Sequence, residues 1–386
     1  MQDFIFHVPT KIVFGKGISK DVGEYAKDFG KKALLVIGSG SVKRSGTFDI
    51  VLSSLKNASL DIKVLEGVVS NPLLSKVREG IKLAKDFNAD FIIALGGGSV
   101  MDTSKAICAG VMLKENDIWD VFTKKVTIKA ALPLLTIPTL AASGSEMNGY
   151  MVITNDETKH KLASASDLVK PKISFLDPTL TFSVPKDYTA YGGVDAVCHL
   201  LEPFFNGIEP EPILQDRIAT GIIKTLMEAT KKSIEKPDDY RARAQLMWGA
   251  SLALCGLTKA GVGEHFFPMH LIEHSISALF NVPHGAGLAA IIPGWMSWYA
   301  NKNPERILRL GELLWGISPK EGPEKTINNM KSWIKDVGCP TNLIELGIDE
   351  KYFDEIAQNA MTQVSIWGKS DIITKELIKE ILSYCK

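Results

Sequence analysis

The sequence predicts an α/β fold in two parts. An N-terminal α/β domain, residues 1–184, carries a parallel Rossmann-like sheet, and residues 185–386 form an all-helical domain. Three observations lead there. The first half alternates short apolar runs with amphipathic segments, the pattern of strands joined by crossover helices. Two of those runs end in glycine-rich turns. Beyond Pro185, strand-like runs give way to long segments of helical spacing.

The elements follow in order. Residues 5–14 read as an extended segment or edge hairpin. Residues 32–37 form an apolar strand that runs into Gly38-Ser39-Gly40-Ser41. Helical spacing covers 48–56, a strand 61–65, and a helix 74–87. The strand at 91–95 ends in Gly96-Gly97-Gly98, and Ser99 is placed to N-cap an amphipathic segment over 100–110. A further strand at 132–137 is broken by Pro138. In the second half, helical patterns cover 188–205, 212–233, 238–257, 267–280 and 285–300.

Composition narrows the function classes. The chain has 44 basic and 44 acidic residues among 386, so no net charge draws it to nucleic acid or an anionic membrane. Hydrophobic residues make up 45%, enough for two packed cores. Five cysteines without a C-x-x-C pattern suit reduced thiols in a cytoplasmic protein. Neither a secretory signal nor an apolar run of membrane-span length is visible.

The chemistry-bearing residues cluster. Of seven histidines, four are His199, His270, His274 and His284. Asp195 and His199 are four apart, as are His270 and His274, so each pair shares a helix face. An aspartate with three histidines suits a divalent ion of borderline softness, Fe(II) or Zn(II), in a catalytic or a structural role. In the first half, the glycines at 96–98 let backbone approach a ligand closely. The helix that follows presents free amides and a positive dipole end to a phosphate. The pattern is neither a Walker motif nor G-x-G-x-x-G.

With these residues assembled, the chain resembles the iron-containing (group III) alcohol dehydrogenases. The resemblance is to their butanol dehydrogenase and NADP-dependent aldehyde reductase branch in particular. It runs through Pro9-Thr10-Lys11-Ile12-Val13-Phe14-Gly15, through Gly96-Gly97-Gly98-Ser99 with Asp102, and through Ile137-Pro138-Thr139 with Ser143-Gly144-Ser145-Glu146. It continues in Gly193-Val194-Asp195-Ala196 with His199, and in His270, His274 and Pro283-His284-Gly285. Two departures stand out. Leu140 replaces a family threonine, and Glu264-His265-Phe266-Phe267-Pro268 lacks a tryptophan frequent in the branch.

The resemblance implies a dehydroquinate synthase-like fold and hydride transfer between NAD(P)H and a small aldehyde or primary alcohol. It implies a metal, Fe(2+) or another divalent ion such as Zn(2+), on Asp195, His199, His270 and His284. His274 would stand beside nicotinamide and substrate as a proton relay. Gly96, Gly97, Gly98 and Ser99 would cradle the pyrophosphate. Asn71, Asp102, Thr139, Ser143 and Lys161 would contact the cofactor, although Asn71-Pro72 is also an ordinary turn and Lys161 an ordinary surface residue. A homodimer is implied, and the N-terminal segment could pair edge to edge with a second copy. Alternatives are a dehydroquinate synthase-like lyase and a glycerol-type dehydrogenase on a more polar substrate.

Cofactor choice is read from the end of the first strand. An NAD site usually places a carboxylate there for the ribose 2′-hydroxyl. Gly38, Ser39, Gly40 and Ser41 offer small side chains and hydroxyls instead, followed by Lys43 and Arg44. NADP(H) is therefore expected over NAD(H).

Overall fold

The computed structural model describes residues 1–386. Six strands form one parallel sheet: β1 (Lys11–Phe14), β2 (Lys32–Gly38), β3 (Asp61–Val68), β4 (Phe91–Gly96), β5 (Leu134–Pro138) and β8 (Ile173–Leu176), in the order β1-β8-β5-β4-β2-β3. Two more strands, β6 (Tyr150–Asn155) and β7 (His160–Ala165), form an antiparallel hairpin.

The central strands are apolar along their whole length because both faces are covered. β4 is buried at every residue. Leu35, Ile37, Ile93 and Leu95 pack on one face with Val22, Val51 and Leu55. On the other face lie the helices Leu74–Phe87 and Gly98–Met112. They approach so closely at Gly80 that a Cβ there would stand 2.3 Å from Ile107 and 2.8 Å from Leu65.

The strand order reverses direction between β2 and β4. β2 pairs with β3 on one side and with β4 on the other, Ile37 opposite Leu95. In open α/β sheets ligands bind at such a switch point, beyond the carboxyl ends of the strands. Gly38 and Gly96 end those two strands.

Several elements differ from the sequence reading. Only Lys11–Phe14 of the first extended segment is strand, and it pairs in parallel with β8 rather than forming a hairpin. β5 runs through Pro138, which opposes Gly96 at the end of the ladder. Ser99 does not cap its helix. The helix begins at Gly98, the cap position falls on Gly97, and no side chain caps it.

The chain separates into two compact units. One holds Val8–Val184 with Asp238–Ser251; the other holds Met1–His7, Pro185–Pro237 and Leu252–Lys386. A single cut near residue 184 misses two exchanges. The helix Tyr240–Ala253 was read as part of the helical half, yet Ser251 Oγ donates to the buried Glu146 of the α/β unit. The first seven residues belong to the helical unit, where the Gln2 amide donates to the Gly261 carbonyl at 3.0 Å. No helix is long and apolar enough to cross a membrane.

Candidate functional site

In the helical unit, Asp195, Cys198, His199 and Glu202 are spaced i, i+3, i+4 and i+7 along the helix Lys186–Asn206. They therefore line one face, and all four are buried. The helix Pro268–Phe280 repeats the spacing with His270, Glu273, His274 and Ser277, again all buried. His284 opens the third helix, His284–Ala300. Gly285 lets that helix close on the first: a Cβ there would stand 2.2 Å from the Tyr191 carbonyl oxygen.

Three imidazoles converge on one carboxylate oxygen. Nε2 of His199 and of His270 each lie 3.5 Å from Asp195 Oδ1, and His284 Nε2 lies 3.7 Å away. The His199 and His270 rings stack with centroids 4.7 Å apart. Asp195 Oδ1 and His270 Nε2 are buried and make no hydrogen bond. Buried polar atoms are rarely left so. Donors bonded at about 2.0–2.2 Å to one four-coordinate ion are separated by roughly 3.3–3.6 Å, so the spacing of Asp195, His199 and His270 suits a shared divalent cation, with His284 slightly farther out.

The protonation states of His199 and Asp195 agree with this, whereas at His270 burial is outweighed by Cys198, Asp195 and Glu202, which raise its imidazole well above the usual value. Burial pushes the His199 imidazole down to about 3, keeping it neutral, the form that ligates. Burial opposes ionisation of Asp195, but the imidazoles of His199, His270 and His284 outweigh it and hold the carboxyl well below its usual range.

Two carboxylates absent from the sequence reading stand behind the histidines. Glu202 Oε1 accepts from His270 Nδ1 at 3.1 Å and from the His270 backbone amide at 3.0 Å. Glu273 Oε2 accepts from His284 Nδ1, and Ser277 donates to its other oxygen. The signal was present: a carboxylate on the same helix face, at i+7 from Asp195 and at i+3 from His270. His274 lies beside this group, its ring 5.7 Å from that of His284. It does not join the group of Asp195, His199 and His270; it groups instead with Glu273 and His284.

In the α/β unit the glycine turn and the second loop come together. A Cβ on Gly98 would stand 2.7 Å from Ser143 Oγ, so only glycine admits that hydroxyl. The first amides of this helix, those of Gly98 and Ser99, have no acceptor within it. The Thr139 amide donates to the Gly96 carbonyl at 3.1 Å. Asp102 is engaged on both oxygens, by Ser145 Oγ at 2.7 Å and the Val152 amide at 3.0 Å. Its visible role is to anchor the loop. Lys161, on β7, is buried and donates to Asn71 Oδ1 at 3.0 Å. The hairpin brings them together, since the Thr154 amide donates to the Pro72 carbonyl. Ser39 and Ser41 are exposed beyond β2, and Lys43 is paired with Glu66, a carboxylate the sequence reading passed over.

Known proteins are similar to this chain along its whole length. The profile described as iron-containing alcohol dehydrogenase matches residues 9–178, and that of the family's C-terminal part matches 189–385. The chain belongs to the iron-containing alcohol dehydrogenase family. The structure of an NADH-dependent butanol dehydrogenase A from Thermotoga maritima is similar with a TM-score of 0.94 at 42% identity, covering 100% of this chain and 99% of the other. The NADH-dependent butanol dehydrogenase A of Clostridium acetobutylicum is 39% identical over 94% of this chain and 93% of its own length. An NADPH-dependent aldehyde reductase of Escherichia coli is 32% identical over 99% of both. This iron-type dehydrogenase carries a parallel six-stranded sheet in its first half and helices through its second.

Proposed function

We propose that this protein reduces small aldehydes to primary alcohols with NADPH, and runs the reverse reaction, at a divalent metal held by Asp195, His199, His270 and His284. The observation that carries the reading is the convergence of three Nε2 atoms on the unsatisfied Asp195 Oδ1. Bound there, the ion supplies Lewis-acid polarisation of a carbonyl oxygen. The nicotinamide supplies the hydride.

The chain's own residues supply the rest. His274, buried beside His284, delivers the proton to the product oxygen. Phe267 stands edge-on to His270 at 5.6 Å, giving the site an apolar wall that suits an alkyl chain better than a sugar phosphate. On the cofactor side, Gly96, Gly97, Gly98 and Ser99 receive the pyrophosphate at the start of their helix. Thr139 and Ser143 would contact the cofactor from the second loop, and Asn71 with Lys161 would contact it from the side of the hairpin. Asp102 acts by holding the loop that carries Ser143.

The preference for NADPH rests on the end of β2, where Gly38, Ser39, Gly40 and Ser41 carry no carboxylate and Arg44 reaches toward Gly40. The relatives bear names of both kinds. Five free, buried thiols support a cytoplasmic setting. A homodimer is supported by the position of β1 at the open edge of the sheet, and light scattering should return twice the 42.2 kDa chain mass.

The direct test is loss of NADPH absorbance on adding butyraldehyde. It should be abolished by a chelator and restored by Fe(II) or Zn(II). Turnover that is indifferent to prolonged chelation would reject the metal-dependent reading.

A further inference from the structure

We propose that Glu202 and Glu273 are positioning residues for the metal, each bracing one ligand histidine from behind so that its Nε2 lone pair faces Asp195. The inference rests on the ligand assignment above and goes beyond it. Both glutamates have no exposure to solvent. A fully buried carboxylate is costly unless it is bonded and its charge is answered, so two of them at one site require a reason.

The reason lies in the helix geometry. Asp195 and His199 share one helix at i, i+4, so their mutual placement comes from the helix itself. His270 and His284 arrive on two other helices and have no such guarantee. Each is fixed by a glutamate from the preceding helix of the set. Glu202, on the helix of Asp195, takes both the side-chain and the backbone N–H of His270. Glu273, on the helix of His270, takes Nδ1–H of His284. The three helices are thus linked in sequence through carboxylate–imidazole contacts, each ending at a metal-facing nitrogen. His199 differs as expected: its Nδ1 is buried and has no hydrogen-bond partner.

The glutamates are themselves held. Asn206 Nδ2 donates to Glu202 Oε2 at 3.2 Å, and Ser277 Oγ to Glu273 Oε1. An acceptor on Nδ1 fixes the tautomer and ring orientation, and its negative charge makes Nε2 a better donor to a cation. Two buried negative charges beyond Asp195 also make the site favour a divalent cation over none.

The test measures metal affinity rather than turnover. Cobalt(II) is titrated into metal-free wild type, Glu202→Gln and Glu273→Gln, in competition with a chromophoric chelator, and the visible cobalt spectrum is recorded. Glutamine keeps the size and one acceptor oxygen but drops the charge, so a purely steric role would leave both readouts unchanged. Each variant is expected to bind cobalt about ten- to a hundredfold more weakly, with a shifted spectrum and unchanged NADPH affinity. Binding within twofold of wild type with an unaltered spectrum in both variants would overturn the proposal. If one variant fails to fold, the other carries the comparison, since the glutamates stand behind different rings. Failure of both metal-free variants to fold would also count against it, because the carboxylates would then serve folding and not the metal. His270→Ala run alongside separates the two levels. Loss of cobalt there with none in the glutamine variants rejects the bracing alone; retention there rejects the ligand assignment.

Discussion

Nζ of Lys105 lies 2.7 Å from Oγ of Ser145, with the whole lysine side chain out of reach of water. The same ammonium donates to Asn148 Oδ1 at 3.1 Å and to the Tyr150 carbonyl at 2.8 Å, while Ser145 Oγ donates a hydrogen bond to Asp102 Oδ1 at 2.7 Å. The loop that places Ser143 against Gly98 is therefore folded around one buried cation. Burial lowers its pKa to about 8, with Asp102 and Glu146 opposing the shift. Lys105→Met keeps the volume and donates nothing, leaving acceptors unsatisfied. Unfolding in urea should show a loss of about 3 kcal/mol, and KM for NADPH should rise with metal content unchanged. Wild-type stability and KM in the variant would contradict this.

Gly38 is the position from which cofactor choice can be moved. A Cβ there meets the Val68 carbonyl oxygen at 3.4 Å and Val100 at 3.8 Å, ordinary contacts. Gly38→Asp should thus be tolerated by the fold. Its carboxylate would repel a 2′-phosphate and accept from a 2′-hydroxyl. The ratio of kcat/KM for NADPH over NADH should fall by at least about tenfold. An unchanged ratio, or a wild type that already prefers NADH, would remove this reading of the β2 end.

Much of this was legible in the sequence, for identifiable reasons. Strands β2, β4 and β5 are buried on both faces, so they appear as nearly unbroken apolar runs. The long helices of the second half carry wide apolar stripes. The helical spacing of Asp195 with His199, and of His270 with His274, put the site's chemistry on view. What escaped were contacts made across elements. The β6–β7 hairpin mixes polar and apolar residues, and its turn falls at residues 156–159. Nothing local tells that Tyr240–Ala253 answers Glu146, or that Asp102 spends its carboxylate on Ser145 and Val152. Glu202 and Glu273 show in the sequence only as helical spacing; their contacts with His270 and His284 appear once the helices are packed.

Acid should weaken the α/β unit through Asp90. Its Oδ2 accepts from the Lys31 and Lys32 amides at 2.7 and 2.8 Å. These backbone bonds, that from Lys32 foremost, hold its carboxyl below the usual 3.8. The folded value lies below the unfolded one, so this stabilisation is complete above 3.8 and is lost as pH falls through the folded value. In Asp90→Asn the unfolding midpoint should drop at neutral pH. The gap from wild type should close as the pH falls below 3.8. A gap that is constant across that range would show that the charge contributes nothing.

The central claim is that Asp195, His199, His270 and His284 jointly hold the metal on which aldehyde reduction depends. Metal content measured on purified His270→Ala beside wild type, with NADPH-dependent butyraldehyde turnover on the same samples, tests it most directly. The expected result is about one divalent ion per chain and full turnover in wild type. The variant should be depleted of metal and inactive, with its affinity for NADPH intact. A variant that retains stoichiometric metal and normal turnover would contradict the account.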